Sequence, residues 1–397
     1  MIAILNGIRV LPDGTETEND CVLIDEGKIV SIGAVDSHLD CVRIDATGKW
    51  VTPGFIDAHT HISVRNEPTP LPALLDGNEV TTPVTAHVRA LDALNPHDMA
   101  IEHVRTAGFT TCYITPGSGN AIGGTGIAIK TRKRSTMQEL ILQDCQHMKF
   151  ALGENPKRVY GDKGKLPSTR MGTSAVIRET LYRAKKYSDK MRLAENDPSL
   201  MPEYDFQLDA LIPAVRGEMV CRFHAHRADD IVTAVRIAQE FGLRFSIEHA
   251  TEGYKIADFL RGNDVPCVVG PSFMGPTKME LWGLKAENPA ILDEAGVMIC
   301  LTEDAPSNTR LLPMHTGVYI AMGLPRASAF RALTINPARL LGLDNRIGSI
   351  EIGKDADIAI WNGDPFSNYS YCETTIIDGE TYEHGPVWAL TAEDNLC

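Results

Sequence analysis

The sequence predicts an α/β chain: a (β/α)8 barrel with a small β-sandwich domain formed from both chain ends. Three observations predict it. From about residue 50 to residue 344, short apolar runs of strand character alternate with helical patterns, the order of parallel strands joined by crossover helices. Eight strand candidates fall in that region, and both ends of the chain instead read as short strands separated by turns. The length of 397 residues suits one barrel of about 250 residues plus a smaller unit. Residues 1–49 and 345–397 are assigned to the end domain and 50–344 to the barrel.

In the first segment, Ala3-Ile4-Leu5, Gly7-Ile8-Arg9-Val10, Cys21-Val22-Leu23-Ile24-Asp25 and Lys28-Ile29-Val30-Ser31-Ile32 are strand-like. Asp13-Gly14 and Glu26-Gly27 between them are turn pairs that favour positive φ. The runs Ala356-Asp357-Ile358-Ala359-Ile360-Trp361 and Thr375-Ile376-Ile377 repeat this texture at the other end. The barrel strands are expected at 50–59, 110–115, 126–131, 148–152, 220–224, 244–249, 265–270 and 297–302. A helix over 228–241 has Ile231, Ala234, Val235, Ala238 and Phe241 on one face, and Asp229 and Asp230 suit its N-terminal dipole. A further helix is expected over 325–341, with Gly342 as its cap. Residues 154–211, rich in Lys, Arg, Asp and Pro, are read as a substrate loop after the fourth strand. Gly123-Gly124-Thr125-Gly126 lacks the ending of a phosphate-binding loop and is read as a tight turn.

A formal net charge of −14 argues against a nucleic-acid partner. The basic run Lys130-Thr131-Arg132-Lys133-Arg134 lacks interleaved aromatics and is read as solvated surface. Nine scattered cysteines (Cys21, Cys41, Cys112, Cys145, Cys221, Cys267, Cys300, Cys372 and Cys397) contain no CxxC pair, which fits a reducing compartment. Met1-Ile2-Ala3-Ile4-Leu5 leads straight into Asn6-Gly7, so no signal peptide or membrane span is expected. The expectation is a cytoplasmic homo-oligomer acting on a small molecule.

The chemistry centres on Val51-Thr52-Pro53-Gly54-Phe55-Ile56-Asp57-Ala58-His59-Thr60-His61. In an extended strand, positions i and i+2 share a face, so His59 and His61 present two imidazoles to one ion. The expected C-terminal strand ends also supply Lys149, His224, His249 and Asp304, and barrel enzymes draw catalytic groups from those ends. Lys149 interrupts the apolar run Met148-Lys149-Phe150-Ala151-Leu152, where an unpaired ammonium is costly. Arg170 and Tyr160 lie on the expected substrate loop. A guanidinium there suits a substrate carboxylate, the alternative being an ordinary surface arginine.

Pro53-Gly54-Phe55-Ile56-Asp57-Ala58-His59-Thr60-His61 resembles the first-strand signature of the amidohydrolase superfamily, metal-dependent hydrolases on a (β/α)8 barrel. The resemblance continues through Phe223-His224-Ala225-His226, Ile247-Glu248-His249, Thr302-Glu303-Asp304 and the segment Gly348 to Asp357, and is nearest to imidazolonepropionase-like and prolidase-like members. It implies metal ligation by His59, His61, Lys149, His224, His249 and Asp304, with Zn2+ expected and Mn2+ or Fe2+ as alternatives. It also implies Asp304 as general base, and His249 and His226 beside the reacting group. Prolidase-like members carry a carboxylated lysine bridging two ions, a position that Lys149 matches; Glu154 is the alternative bridge. Imidazolonepropionase-like members use one ion, and two are favoured here. The expected reaction is hydrolysis of a C–N bond in an amide, dipeptide or cyclic amide of a small, carboxylate-bearing substrate. A deaminase on the same scaffold and a non-catalytic protein of the same fold are the alternatives.

Overall fold

Two eight-stranded sheets meet at Gly54. The computed structural model describes residues 1–385 apart from 35, 37 and 69–74; Cys397 and the remainder of the expected end domain past 385 lie outside the described residues. The first sheet takes β1 (Ile2–Val10), β2 (Glu16–Asp25), β3 (Lys28–Ile32), β4 (Val42–Asp45) and β5 (Trp50–Pro53) from the start of the chain. The second is built of β6 (Phe55–Thr60), β7 (Phe109–Ile114), β8 (Ile122–Lys130), β9 (Ile141–Ala151), β10 (Val220–Ala225), β11 (Arg244–His249), β12 (Cys267–Val269) and β13 (Ile299–Leu301). The chain then returns to the first sheet with β14 (Ile358–Trp361), β15 (Cys372–Ile377) and β16 (Glu380–Glu383).

The end sheet runs β16-β15-β14-β5-β1-β2-β3, with β4 also on β1, so both chain ends share one hydrogen-bonded sheet. That pairing is one branched hydrogen-bonded sheet, with β1 on β4 along Ile2–Leu5 and on β5 at Ile8 and Arg9, and does not itself show the two facing sheets of the expected sandwich. Its core is aliphatic: Ile4, Val22, Ile24, Ile29, Val51, Ile358, Ile360 and Ile376. The expected strand at 50–59 is divided between the two sheets, Trp50–Pro53 in one and Phe55–Thr60 in the other. Gly54 marks the division because a Cβ there would lie 2.1 Å from Thr110 Oγ1.

The second sheet places its strands in chain order from β6 to β13 and all but closes. A bridge pairs Thr60 with Asp304, and the His61 N–H donates to the Asp304 carbonyl at 3.2 Å. Every residue of β6, β7, β8 and β10 is buried, as in strands covered on both faces. Most neighbours are parallel, but β8 is antiparallel to both β7 and β9. The expected eightfold strand–helix alternation therefore fails at its third unit. The connections 115–121 and 131–140 are too short for a crossover helix, which needs a dozen or more residues. The glycines at 123, 124 and 126 lie inside β8 and are not a turn. Gly124 has φ +107°, and a Cβ on it would meet the Val88 carbonyl oxygen at 2.2 Å.

The helix Ala228–Phe241 forms as expected and ends on Gly242 in the left-handed conformation. The expected helix over 325–341 is two, Arg326–Leu333 and Ile335–Leu341, divided at Thr334 with ψ −89°. Residues 154–211 are largely helical rather than loop: Glu154–Gly161, Arg170–Ala194 and the short Phe206–Asp209. Thr169 caps the longest by accepting from the Gly172 N–H, and Val176, Ile177, Thr180, Leu181, Ala184 and Tyr187 bury its inner face. The basic run is not all solvated either. Lys130 is buried against Asp355, Asp357 and Asp378, while Arg132 and Arg134 pair with Asp378 and Glu380. The eight described cysteines are free. Among the described residues no helix is long and apolar enough to cross a membrane.

Candidate metal centre and active site

Barrel closure sets the site. β6 carries His59 and leads into His61, the segment after β13 carries Asp304, and the Thr60–Asp304 bridge brings the two together. Thr302 tightens the seam: its hydroxyl donates to the His59 carbonyl at 2.5 Å, and its oxygen accepts from the Asp304 N–H at 3.1 Å. Asp304 (φ +62°) and His249 (φ +74°) both sit in the left-handed region. Such a conformation costs a non-glycine residue about 1–3 kcal/mol and persists where surrounding contacts impose it.

Each imidazole is oriented by what its Nδ1 meets. His59 Nδ1 donates to Glu248 Oε2 at 2.6 Å, His61 Nδ1 to the Thr115 carbonyl at 2.7 Å, and His249 Nδ1 to the Gly270 carbonyl at 2.8 Å. A carbonyl only accepts, so in His61 and His249 the proton lies on Nδ1 and the Nε2 lone pair is bare. The Nε2 atoms of His59 and His61 face Asp304 Oδ1 at 3.3 and 3.2 Å, and that of His249 at 4.0 Å. Burial pushes His61 down to about 4 and His249 to about 3, so both rings are neutral at ordinary pH. Burial raises the Asp304 carboxyl, but His61 and His59 outweigh it and hold the group well below the usual carboxylate range. The His61 and Asp304 lone pairs thus point at one another across 3.2 Å with no proton between them, an arrangement that a divalent cation would relieve. His59, His61 and Asp304 fit such an ion in donor type and spacing.

A second group adjoins the first. His224, His226 and His249 offer ligand atoms within 4.8 Å of one another, with ring centroids 4.5–4.7 Å apart. The buried Nδ1 of His224 has no hydrogen-bond partner, while its Nε2 lies 3.4 Å from Asn155 Nδ2. His226 Nδ1 meets Thr251 Oγ1 at 2.7 Å. Lys149, wholly buried, places Nζ 3.2 Å from His59 Nε2. Burial lowers it to about 8, against the pull of Glu248 and Asp304.

The structure therefore brings together His59, His61, Lys149, His224, His226, His249 and Asp304. Arg170 and Tyr160 are engaged elsewhere. Arg170 Nε lies 3.0 Å from both oxygens of Asp230. Tyr160 is fully buried, its hydroxyl 2.6 Å from the Thr82 carbonyl and 2.5 Å from Asn120 Oδ1. Glu154 turns its backbone toward the site, donating its N–H to Glu280 Oε2 at 2.9 Å.

Sequence reasoning missed three residues. Glu248, beside His249 in β11, binds His59; its oxygens also accept from Arg222 at 2.7 and 2.8 Å and from Ser246 at 2.5 Å. Burial raises Glu248, but Arg222 and His59 hold it well below the usual range. A carboxylate two residues past Ser246 in a buried strand was a readable signal. Lys278 and Glu280, from the irregular segment after β12, reach His226 and His224, and no local pattern marks them.

Three comparisons bear on this geometry. A sequence model described as the amidohydrolase family matches residues 283–382. The crystal structure of an amidohydrolase from Thermotoga maritima MSB8 superposes with a TM-score of 0.93 at 41% identity, over 97% of this chain and all of that one. Amidohydrolase tasK of Hapsidospora irregularis is 29% identical over 92% of this chain, which spans 40% of that protein's length. An imidazolonepropionase of Stenotrophomonas maltophilia (strain R551-3) is 25% identical over 92% of this chain and 89% of its own. Similarity over nearly the whole length to a solved amidohydrolase, together with imidazoles and a carboxylate at one rim of the barrel, places this hydrolase in the amidohydrolase superfamily.

Proposed function

We propose that the chain is a metal-dependent hydrolase that cleaves a carbon–nitrogen bond, in an amide, dipeptide or cyclic amide, by attack of water. The observation that carries this reading is the pair of Nε2 atoms of His59 and His61 turned onto Asp304 Oδ1 at 3.2–3.3 Å. These residues would hold the ion, with His249 at its flank; nitrogen and carboxylate donors suit zinc first, then manganese or iron. A divalent ion there supplies Lewis acidity toward the scissile carbonyl and a nucleophilic water.

The chain's own groups do the rest. Asp304 is ionised and partly exposed, and takes a proton from the attacking water as the new C–O bond forms. It returns that proton to the departing nitrogen as the C–N bond breaks. His249 and His226 stack with ring centroids 4.7 Å apart and would stand beside the reacting group. Lys149, aimed at His59, would add an anionic oxygen if carboxylated. The family assignment and the imidazolonepropionase similarity support C–N hydrolysis.

Elemental analysis of purified protein, paired with turnover of N-acyl amino acids, dipeptides, lactams and aminated heterocycles, tests the reading. Stoichiometric metal is expected, with activity lost on chelation and restored by Zn2+. Asp304→Asn should keep part of the metal and lose about 10²- to 10⁴-fold in turnover. Ammonia as the product would select the deaminase instead, and protein that takes up no metal under any loading would end the proposal.

A further inference from the structure

The second histidine group already has a cation in it. Lys278 extends from the segment after β12 and sets its ammonium 3.1 Å from His226 Nε2 and 3.5 Å from Asn155 Oδ1, against Glu280 Oε1. The ammonium can donate to His226 and Asn155, and the Glu280 carboxylate pairs with its charge. Glu280 is itself fixed, because its other oxygen accepts from the Glu154 N–H, and its side chain is fully buried. Glu280 Oε1 lies 3.6 Å from His226 Nε2 and 4.0 Å from His224 Nε2. The imidazoles of His224, His226 and His249 and the adjoining carboxylate of Glu280 are donor types that suit a divalent ion, and the Lys278 ammonium sits on two of them, His226 and Glu280.

We propose that His224, His226, His249 and Glu280 form a second divalent-ion position that Lys278 occupies with its own ammonium, so that the native chain takes one ion and not two. This rests on the first ion lying at His59, His61 and Asp304. Charge supports the assignment: Lys278 and Glu280 neutralise each other, whereas an added dication at His226 and Glu280 would face the ammonium at contact distance among buried side chains. The Lys278 side chain is 23% exposed, which gives the ammonium a path to solvent when the position is forced open. Its departure frees the His226 Nε2 lone pair and the Glu280 oxygen at once. Lys278 thereby sets the metal count of the site.

The test is metal stoichiometry, which needs no substrate. Intact protein is loaded with Zn2+, desalted and analysed; one equivalent is expected. Lys278→Met should hold two, and Lys278→Met combined with Glu280→Gln should return to one. Lys278→Gln, which keeps a polar end of similar length, repeats the test should the methionine variant fold poorly, with thermal melting as the control. Loading with Mn2+ adds a second readout: an isolated-ion electron paramagnetic spectrum in the native chain and a spin-coupled pair in the Lys278 variants. Two tight equivalents in the native chain, or one equivalent in well-folded Lys278→Met and Lys278→Gln, overturn the proposal while leaving the hydrolase reading intact. No metal in the native chain overturns both.

Discussion

Lys130 and Lys149 lie on adjacent strands, β8 and β9, and both are buried to within 1% of full exclusion from solvent. Their surroundings differ in one respect, the number of carboxylates. Lys130 reaches Asp355 at 2.8 Å and Asp357 at 3.1 Å, and Asp378 closes the third side. Burial works to lower it, but the three acids outweigh burial and raise it above the ordinary lysine value. Lys149 touches an imidazole, with Glu248 and Asp304 farther off, and burial wins. Equal burial therefore yields a permanent cation in one place and a readily neutralised amine in the other. The first clamps the barrel to the end sheet, since its three partners all come from the C-terminal part of the chain. The second faces the chemistry.

Replacing each lysine breaks the comparison most directly. Lys130→Met leaves Asp357 buried without its cation, a loss of about 3–5 kcal/mol, while Asp355 keeps Lys28 and Arg346. Urea unfolding should show that loss while metal content per folded chain stays level. Lys149→Ala should do the reverse: a small change in unfolding midpoint and a fall in bound metal. Short carboxylic acids should partly restore the metal if Lys149 is carboxylated. A Lys130 variant as stable as the native chain would remove the clamp from the account.

The same logic applies to Glu248, a carboxylate that acts on Lys149. Glu248 accepts from Arg222 through both oxygens and from His59 through Oε2, so it fixes the ring that presents Nε2 to the ion. Carboxylates behind a ligating histidine are typically worth 10- to 100-fold in metal affinity. Glu248→Gln should weaken Zn2+ binding by about that factor, or roughly 1.4–2.7 kcal/mol, as read by competition with a chromophoric chelator. Unchanged affinity would show that the Thr115, Gly270 and Asp304 contacts suffice.

What the sequence disclosed follows a physical division. His59, His61, His224, His249 and Asp304 were legible because strand period and strand ends are local features, and barrels put chemistry at those ends. Lys149 was legible because a charge inside an apolar run is a local contradiction. The reversal of β8 was not legible, since direction depends on the length of connections whose boundaries are only loosely marked. Lys130 misled because its three partners lie more than two hundred residues away in sequence. Glu280 and Lys278 were hidden for the same reason: they enter from an irregular segment whose path only the packed structure defines.

Arg170 falls on the Lys130 side of this division. Its guanidinium grips both oxygens of Asp230, which is buried at the start of the helix Ala228–Phe241, and it joins that helix to the long helix Arg170–Ala194. A cation so committed contributes to stability and has little left for a substrate carboxylate. Arg170→Ala should cost about 1 kcal/mol, because the side chain is partly exposed and Asp230 can protonate once alone. KM for carboxylated substrates should stay within twofold of the native value. A large rise in KM with no change in thermal midpoint would mean instead that Arg170 leaves Asp230 to meet the substrate, and the division between structural and chemical cations would then have to be redrawn at this residue.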